Sequence, residues 1–303
     1  MECQCISPHL IDGYSGIVNP SSKPIFFSKP MVQGSKPADG GNLILDEEAF
    51  QTFKENEPKA VPYIKRLVGG IEMLYGKKRW CLWLPDAPKE ILELPMVAER
   101  IERCRKMRMS AVKGGDAAKL ASTPHLFRDI VNPDSAIILP RLVTEHVLRM
   151  PAVFIDSDSI AGNQSYLVLN GDLTDFAVLS SRMHCVWVKW ICGRHEFRFR
   201  YSVSQCYNAF PLPRMTSGDR KTLANIAKDI VSLRKNLKMS LIDLCRRESI
   251  PEKLQMLYLK LDNAFDQMYD SNGFKTESRR LKCLLRMYEE KIGRKNVDID
   301  QWC

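Results

Sequence analysis

Apolar residues spaced three or four positions apart predict helices in the middle and at the end of the chain. This spacing runs from Pro95 to Lys113 and again from Leu179 to Ile191, and it is the period of a helix that buries one face. Gly193 suits the position just past the second helix, because glycine tolerates a left-handed backbone. Three more such stretches predict a helical module beyond residue 214, and they are Leu223–Ile230, Leu257–Met268 and Leu281–Ile292.

Short apolar runs of strand length lie between these helices. They are Arg79–Leu84, Ala136–Leu139 and Pro151–Ile155, with Tyr166–Leu169 as a further candidate. The first 45 residues add extended segments joined by turns, and Asp39–Gly41 is one turn signal. The order of elements predicts an α+β fold, in which a mixed α/β domain with a twisted sheet and helices is followed by a small all-helical module.

Residues Glu196–Val203 change from the helical period to strict alternation. The alternation predicts a strand that buries its aromatic residues and turns its arginines to solvent. The residues predicted to be buried are Phe197, Phe199 and Tyr201. Those predicted to face outward are Arg198 and Arg200.

The composition is that of a globular protein with a surplus of positive charge. The 303 residues are 45% apolar and 27% charged, values that exclude disorder of the chain as a whole. Lysine and arginine number 45 against 36 aspartate and glutamate residues, which gives a net charge of +9. No apolar run is long enough to cross a bilayer and no signal peptide is visible, so we expect a cytoplasmic protein without a membrane partner. The ten cysteines are expected to be reduced thiols.

Motifs for catalysis and cofactor binding are absent from the sequence. None of the 16 glycines forms a Gly-x-Gly pair, and no phosphate-binding loop, nucleophile elbow or His-Glu-x-x-His motif can be written. None of the 17 prolines forms a Pro-Pro pair, which excludes the loop that holds a flipped base in amino-methyltransferases. The sequence therefore predicts no catalytic residue, no metal ligand and no cofactor site in this chain.

Positive charge is concentrated in two segments. Residues 96–113 carry six basic and two acidic side chains, and residues 182–200 carry five basic and one acidic side chain. Duplex DNA binds such clusters because each neutralised phosphate releases counterions. An ordinary solvated face explains the same charges equally well. The residues predicted to contact phosphate are Arg103, Arg105, Lys106, Arg108, Arg194, Arg198 and Arg200.

Sequence-specific reading of DNA requires hydrogen-bonding side chains on loops that reach base edges. The turn after the basic helix offers Ser110 and Lys113, and the segment between two predicted strands offers five more candidates. These are Arg141, Thr144, Glu145, His146 and Arg149. A glutamate opposes nonspecific DNA binding but can accept a hydrogen bond from cytosine, so Glu145 indicates base discrimination. The alternative for this segment is a hairpin tip with ordinary surface charges.

Several short blocks of the sequence occur in the order found in a known family. They are Ile6–Gly13, Gly34–Gly41, Arg79–Leu84, Pro140-Arg141 with Thr144-Glu145, Ser181–His184 with Trp187, Cys192–Arg194, Arg200–Ser202, Tyr207–Pro211, Ser240-Leu241 and Leu261-Asp262. In these blocks the chain resembles the C-terminal part of the MmeI-like type IIL restriction–modification enzymes, which are large single-chain DNA adenine methyltransferases. The resemblance covers nearly the whole chain, and the shared order of the blocks makes it specific.

The resemblance implies three parts and two partners. Residues 1–30 would be a strand-forming tail of a methyltransferase core, residues 31–213 a target recognition domain, and residues 214–303 a helical C-terminal module. Duplex DNA is the implied ligand, and segments 105–116 and 141–149 correspond to the base-reading segments of the family. S-adenosylmethionine and the flipped adenine would be held by a separate catalytic chain or an upstream portion.

Three hypotheses for the function are open at this point. The leading one is a recognition module for adenine-specific DNA methylation, without autonomous activity. The others are a stand-alone DNA-binding protein with no role in methylation, and an inactive fragment of a split methyltransferase gene. An adjacent reading frame that encodes the missing catalytic loop would distinguish among them.

Overall fold

Strands and helices mix up to residue 200, and the described residues after 216 form helices and no named strand, which confirms the predicted α+β fold. The structure, a computed structural model, describes residues 17–27, 29–111 and 116–293. Its strands are β1 (Met31–Gln33), β2 (Ile44–Leu45), β3 (Ile64–Val68), β4 (Trp80–Leu82), β5 (Ser135–Pro140), β6 (Leu142–Thr144), β7 (Val153–Asp156), β8 (Ser159–Ala161), β9 (Ser165–Leu169), β10 (Gly193–His195) and β11 (Arg198–Arg200). Its α-helices are α1 (Glu47–Asn56), α2 (Gly70–Tyr75), α3 (Lys89–Leu92), α4 (Pro95–Met109), α5 (Asp116–Lys119), α6 (Leu173–Ser180), α7 (Arg182–Ile191), α8 (Ser217–Asn236), α9 (Glu252–Asp266) and α10 (Glu277–Lys291).

The chain forms two compact units. The first unit comprises the described parts of Met1–Val32, Leu139–Val153 and Val168–Cys303, and the second comprises those of Gln33–Ile138 and Phe154–Leu167. Along the sequence, the second unit therefore consists of two separate insertions into the first. One four-stranded sheet has the order β1-β9-β5-β7.

The second unit has its core between a four-stranded sheet and the helices α1 and α4. The sheet has the order β2-β4-β3-β8 and is antiparallel except for the β3–β8 pair. All three side chains of β4 are buried, as the apolar run predicts. Phe50 of α1 stacks on Trp80 with ring centroids 4.5 Å apart, and Val97 and Ile101 place one face of α4 in the same core. Full burial of each such side chain contributes about 1.5–3 kcal/mol.

A glycine-rich turn folds tightly against the backbone of the second unit. A Cβ atom on Gly34 would lie 2.3 Å from the carbonyl oxygen of Gly162, so only glycine fits this position. The buried carboxylate of Asp39 accepts hydrogen bonds from the N–H groups of Gly41 and Leu43, at 3.1 and 2.6 Å. The turn predicted here is confirmed, and this carboxylate fixes its shape.

The helix predicted over residues 179–191 is two helices in the structure. α6 ends at Ser180 and α7 begins at Arg182, and Ser181 between them has extended backbone with a ψ angle of 157°. The Ser181 hydroxyl caps α7 by accepting a hydrogen bond from the N–H group of His184 at 3.1 Å. The apolar period continues on both sides of this break, so periodicity alone predicts a single helix.

The helices of the C-terminal part pack on α6 and α7 within the first unit. α8 lies against α6 and α9, while α7 contacts α9 and α10. The Thr216 hydroxyl caps α8 by accepting from the N–H group of Asp219 at 3.2 Å, and Pro251 is the N-cap of α9. The predicted helical module is confirmed. None of the described helices is both long and apolar enough to cross a bilayer.

The segment before β1 packs against residues that follow β11, within the first unit. Phe27 stacks on Tyr207 with ring centroids 4.1 Å apart. The side-chain amide of Asn208 donates a hydrogen bond to the carbonyl oxygen of Ser21 at 2.7 Å. Residues 1–16 of the predicted strand-forming tail lie outside the described residues.

Candidate nucleic-acid interface

A basic hairpin and the strand beside it form a small sheet in the first unit. Its strands are antiparallel and have the order β10-β11-β6. The register aligns Arg198 with Thr144 and Phe199 with Val143. Because side chains alternate along a strand, one face buries Phe199 and Val143, and the other exposes Arg198 and Arg200.

The sequence prediction for the aromatic residues of the hairpin is correct at two positions and wrong at one. Phe199 and Tyr201 are buried, with 2% and 1% of their surface exposed. Phe197 is 78% exposed because it lies in the two-residue turn between β10 and β11. A positive φ of 58° at Glu196 takes the chain off the path of the strand, so the alternation does not extend to Phe197.

The exposed face of the hairpin carries His195, Arg198 and Arg200. One guanidinium nitrogen of Arg198 lies 2.6 Å from the Glu196 carboxylate and 3.2 Å from Nδ1 of His195. Arg200 makes no ion pair with another described residue. The sequence reasoning missed His195, although the hairpin register places it directly opposite Arg198. The contacts of Arg198 with Glu196 and His195 depend on the turn at Glu196. The alternation of aromatic and basic residues does not predict this turn.

Arg194 links the hairpin to the turn that follows β6. Its guanidinium lies over the Phe199 ring, 4.9 Å from the centroid. One of its nitrogens lies 3.3 Å from a carboxylate oxygen of Glu145, and the two side chains are 45% and 39% exposed. Solvent screens an ion pair this exposed, so it can open when a ligand offers better partners.

Arg141 immediately precedes β6 and Thr144 is its last residue. Both side chains are half-buried. The carbonyl oxygen of Arg141 accepts a hydrogen bond from the N–H group of Tyr201 at 2.9 Å, which ties this end of β6 to the chain after β11. Thr144 shares the exposed face with its cross-strand partner Arg198.

The turn at Glu145 and His146 is the exposed end of the predicted base-reading segment. The residues that follow it are fixed against the C-terminal part of the chain. Val147 is buried, and the N–H group of Leu148 donates to the carbonyl oxygen of Cys245 at 2.8 Å. The turn is thus anchored on its C-terminal side while its own side chains remain in solvent.

Arg149, predicted to read bases, is a buried structural residue. It is 4% exposed and makes two parallel hydrogen bonds to Asp262 of α9, at 2.9 and 2.7 Å. Its guanidinium also lies 4.1 Å from the centroid of the Tyr258 ring. Burial disfavours the charge, but the carboxylate of Asp262 raises the pKa of Arg149 above its ordinary value. The prediction is wrong here, because this side chain points into the protein and not toward solvent.

Arg182 and Lys189 belong to the second basic segment of the sequence, but a carboxylate within the first unit offsets part of their charge. Both pair with Glu277 at the start of α10, and Nζ of Lys189 lies 2.8 Å from its carboxylate. Burial tends to raise the pKa of Glu277, but the hydrogen bond from Lys189 and the charge of Arg182 hold it below its ordinary value. These two cations stabilise the packing of α7 on α10.

Helix α4, in the second unit, carries three predicted phosphate contacts on its surface. Arg103 pairs with Glu99 at 2.7 Å and Arg105 with Glu102 at 3.2 Å, so each shares its charge with a glutamate of the same helix. Lys106 is exposed and forms no ion pair with the other described residues. Of these three candidates, Lys106 is therefore the one whose charge is not shared with an acidic side chain of the described residues.

The basic helix is predicted to extend to Lys113, and α4 ends at Met109. The exposed Ser110 donates a hydrogen bond from its hydroxyl to the carbonyl oxygen of Met107 at 2.8 Å. Lys113, the second base-reading candidate of this segment, lies outside the described residues.

Arg108, predicted to contact phosphate, is completely buried. Its guanidinium donates five hydrogen bonds of 2.8–3.1 Å to backbone carbonyl oxygens in segments 37–38 and 120–126. Arginine has five N–H donors, so this side chain is fully used. The prediction is wrong at this position, because Arg108 holds together the loops around the end of α4.

The histidines and acidic residues do not suggest a metal centre. Among the described residues, no group of three or more His, Cys, Asp or Glu side chains is arranged to hold a metal ion. His184 is a core residue whose Nε2 lies 3.0 Å from the Tyr201 hydroxyl. Burial lowers the pKa of His184 to about 3, so its ring is neutral at physiological pH.

Comparison with known proteins assigns the chain to a family. Residues 12–214 match the model of the MmeI target recognition domain, and residues 216–294 match that of the MmeI C-terminal domain. The chain belongs to the MmeI family. Within this MmeI-family chain, the basic hairpin and the Glu145-His146 turn both lie in the range that matches the target recognition domain.

Two relatives of this MmeI-family chain are longer than it. It is 32% identical over 291 residues to DNA methyltransferase A of Bacillus subtilis (strain 168), a match that covers 95% of this chain and 33% of that protein. It is 33% identical to the type IIL restriction–modification enzyme MmeI solved in complex with DNA, with a TM-score of 0.92 over 96% of this chain and 39% of that chain. The chain thus spans about a third of the length of the curated relative.

Proposed function

We propose that this chain is the DNA-recognition part of an adenine-specific DNA methyltransferase of a restriction–modification system. One observation carries the proposal: the small sheet of the first unit exposes Arg198 and Arg200 and leads directly into the exposed Glu145-His146 turn. Cations that bind phosphates, placed beside side chains that can reach base edges, are what sequence-specific DNA binding requires. Similarity to a DNA methyltransferase and to a DNA-bound enzyme supports the same function.

The proposed DNA contacts fall into two classes. Phosphates would be bound by Arg194, Arg198 and Arg200 of the first unit and by Arg103, Arg105 and Lys106 of the second. Base edges would be read by Arg141, Thr144, Glu145 and His146 of the first unit and by Ser110 and Lys113 of the second. Arg108 and Arg149 belong to neither class, because both are buried.

Methyl transfer is assigned to another part of the enzyme in this proposal. S-adenosylmethionine and the flipped adenine would be held by a catalytic core, either in the same polypeptide or in a separate chain. The recognition part would select the site and hold the duplex in register with that core. A cytoplasmic location, where such an enzyme meets cellular DNA, is part of the proposal.

Salt-dependent binding of a short, labelled duplex of mixed sequence, followed by fluorescence anisotropy, tests this function. The wild-type chain is expected to bind with a logarithm of affinity that falls linearly with the logarithm of salt concentration. Arg200→Gln should make this slope shallower by about 1, because one phosphate contact is lost. Lys89→Gln, which removes an 82% exposed cation far from the hairpin in sequence, is the control and should keep the wild-type slope.

Two results would contradict the proposed function. One is an absence of duplex binding by the wild-type chain even at low salt. The other is an Arg200→Gln variant whose slope and affinity equal those of wild type.

A further inference from the structure

The tip of the basic hairpin carries an aromatic ring that the proposed phosphate and base contacts do not explain. Phe197 is 78% exposed, more than any other large apolar side chain among the described residues. Contact between an apolar ring of this size and water is unfavourable. Covering the ring would therefore contribute favourably to the free energy of binding of a ligand.

The hairpin holds this ring in a defined position. Phe197 is one of only two residues that connect β10 to β11, and the pair His195–Arg198 closes the turn directly behind it. Phe199 fixes β11 by its burial in the core. A side chain on so short a connection has little freedom beyond its own rotamers, so little conformational entropy is lost when it binds.

The charges around the ring suit a polyanion. The acidic residue of the tip is Glu196, whose carboxylate lies 2.6 Å from Arg198 and 3.9 Å from Nδ1 of His195. That carboxylate is therefore neutralised within the hairpin. Arg194 and Arg200 follow on the two strands behind the tip.

We propose that Phe197 inserts between neighbouring bases of a bound duplex while the arginines behind it bind the flanking phosphates. This inference rests on the proposed DNA-binding function. A two-stranded ribbon fits a groove of DNA. Proteins that kink DNA insert apolar side chains, phenylalanine among them, at a base step and partly unstack it. No described residue of the hairpin turn covers the Phe197 ring. Stacking against a base would cover it.

A protein partner is the other class of ligand that an exposed ring can have. The centre of a protein interface is depleted in charged residues and rich in apolar ones. Phe197 is instead flanked along the chain by Glu196 and Arg198, and His195 lies opposite Arg198. These surroundings favour DNA.

The test compares Phe197→Ala with Met256→Ala, which removes a 60% exposed side chain on α9. Both positions are exposed, so both variants should fold, and circular dichroism checks this. Two quantities are measured with a mixed-sequence duplex: the affinity at several salt concentrations, and the permanganate reactivity of thymines, which rises when a base is unstacked. Phe197→Tyr serves as the conservative variant because it keeps an aromatic ring.

Phe197→Ala is expected to bind about tenfold more weakly than wild type, because base–aromatic stacking is lost. Its salt slope should equal that of wild type, since no cation is removed. Wild type is expected to raise the thymine reactivity, and this increase should disappear in Phe197→Ala and persist in Phe197→Tyr and Met256→Ala.

Wild-type affinity and wild-type thymine reactivity in Phe197→Ala would overturn the inference. If Arg200→Gln still lowers the salt slope in the same experiment, the proposed function stands and only the role of Phe197 fails. Absence of duplex binding by wild type would overturn both. A protein partner for the ring is indicated if Phe197→Ala leaves DNA binding unchanged.

Discussion

Arg108 and Arg200 carry the same side chain in opposite environments. Arg200 lies exposed on the hairpin, where its charge is available to a phosphate. Arg108 is completely buried, and five backbone carbonyl oxygens accept hydrogen bonds from its guanidinium. A buried cation is tolerated only where its donors are satisfied, so each residue is suited to a single role.

Arg108→Met should strongly destabilise the protein without involving DNA. The substitution removes the five hydrogen-bond donors that Arg108 supplies to backbone carbonyl oxygens, so we expect the free energy of unfolding to fall by about 3–5 kcal/mol. Arg103→Gln, on the exposed side of the same helix, is the control and should change it by less than about 0.5 kcal/mol. Urea unfolding followed by circular dichroism measures both. Equal urea concentrations at the midpoint of unfolding for the two variants would refute the structural role of Arg108.

The burial of Arg108 could be predicted from the sequence, whereas that of Arg149 could not. Val97, Ile101, Cys104 and Arg108 recur at intervals of four, three and four, so helical periodicity alone places Arg108 on the buried stripe. The prediction that Arg108 contacts phosphate did not take this periodicity into account. Arg149 has no comparable pattern, since its partner Asp262 lies on a helix 113 residues further along the chain.

The Glu145-His146 turn is held by elements on both of its sides. On one side, Arg194 of β10 pairs with Glu145. On the other, Leu148 is hydrogen-bonded to Cys245 and Arg149 to Asp262 of α9. We infer that the C-terminal helices fix the position of the turn, so that residues matching one domain support a candidate site in the other.

A double-mutant cycle on Arg149 and Asp262 tests this connection. Arg149→Met alone leaves a buried carboxylate without its partner and should lower the free energy of unfolding by about 3–5 kcal/mol. Arg149→Met with Asp262→Leu should be less damaging than the sum of the two single changes, because no uncompensated charge remains. Recovery will be partial, since Asp262 also accepts a hydrogen bond from the N–H group of Arg182.

The cycle needs an exposed pair as its control. Lys89 and Glu93 are 82% and 63% exposed, and their coupling energy should be below about 0.5 kcal/mol. If the changes in the free energy of unfolding at Arg149 and Asp262 were strictly additive, the buried pair would not connect the Glu145-His146 turn to the C-terminal helices.

At the scale of the whole molecule, periodicity predicted the fold class and the helical C-terminal part. Caps and turns set by single residues were harder to place. Ser181 divides one apolar stretch into two helices, and Glu196 begins the turn that exposes Phe197. The division into two compact units was not predictable from local patterns, because the first unit joins three separate parts of the chain.

The central claim is that this chain reads DNA sequence, and selection from a pool of randomised duplexes tests it most directly. The wild-type chain is expected to enrich one short motif. Glu145→Gln should change the preference at one base pair of that motif and leave the others intact, because an amide no longer offers two acceptor oxygens to a cytosine. Glu252→Gln, an exposed acid at the start of α9, should enrich the wild-type motif. Failure of the wild-type chain to enrich any motif, or an identical motif from Glu145→Gln, would contradict the account.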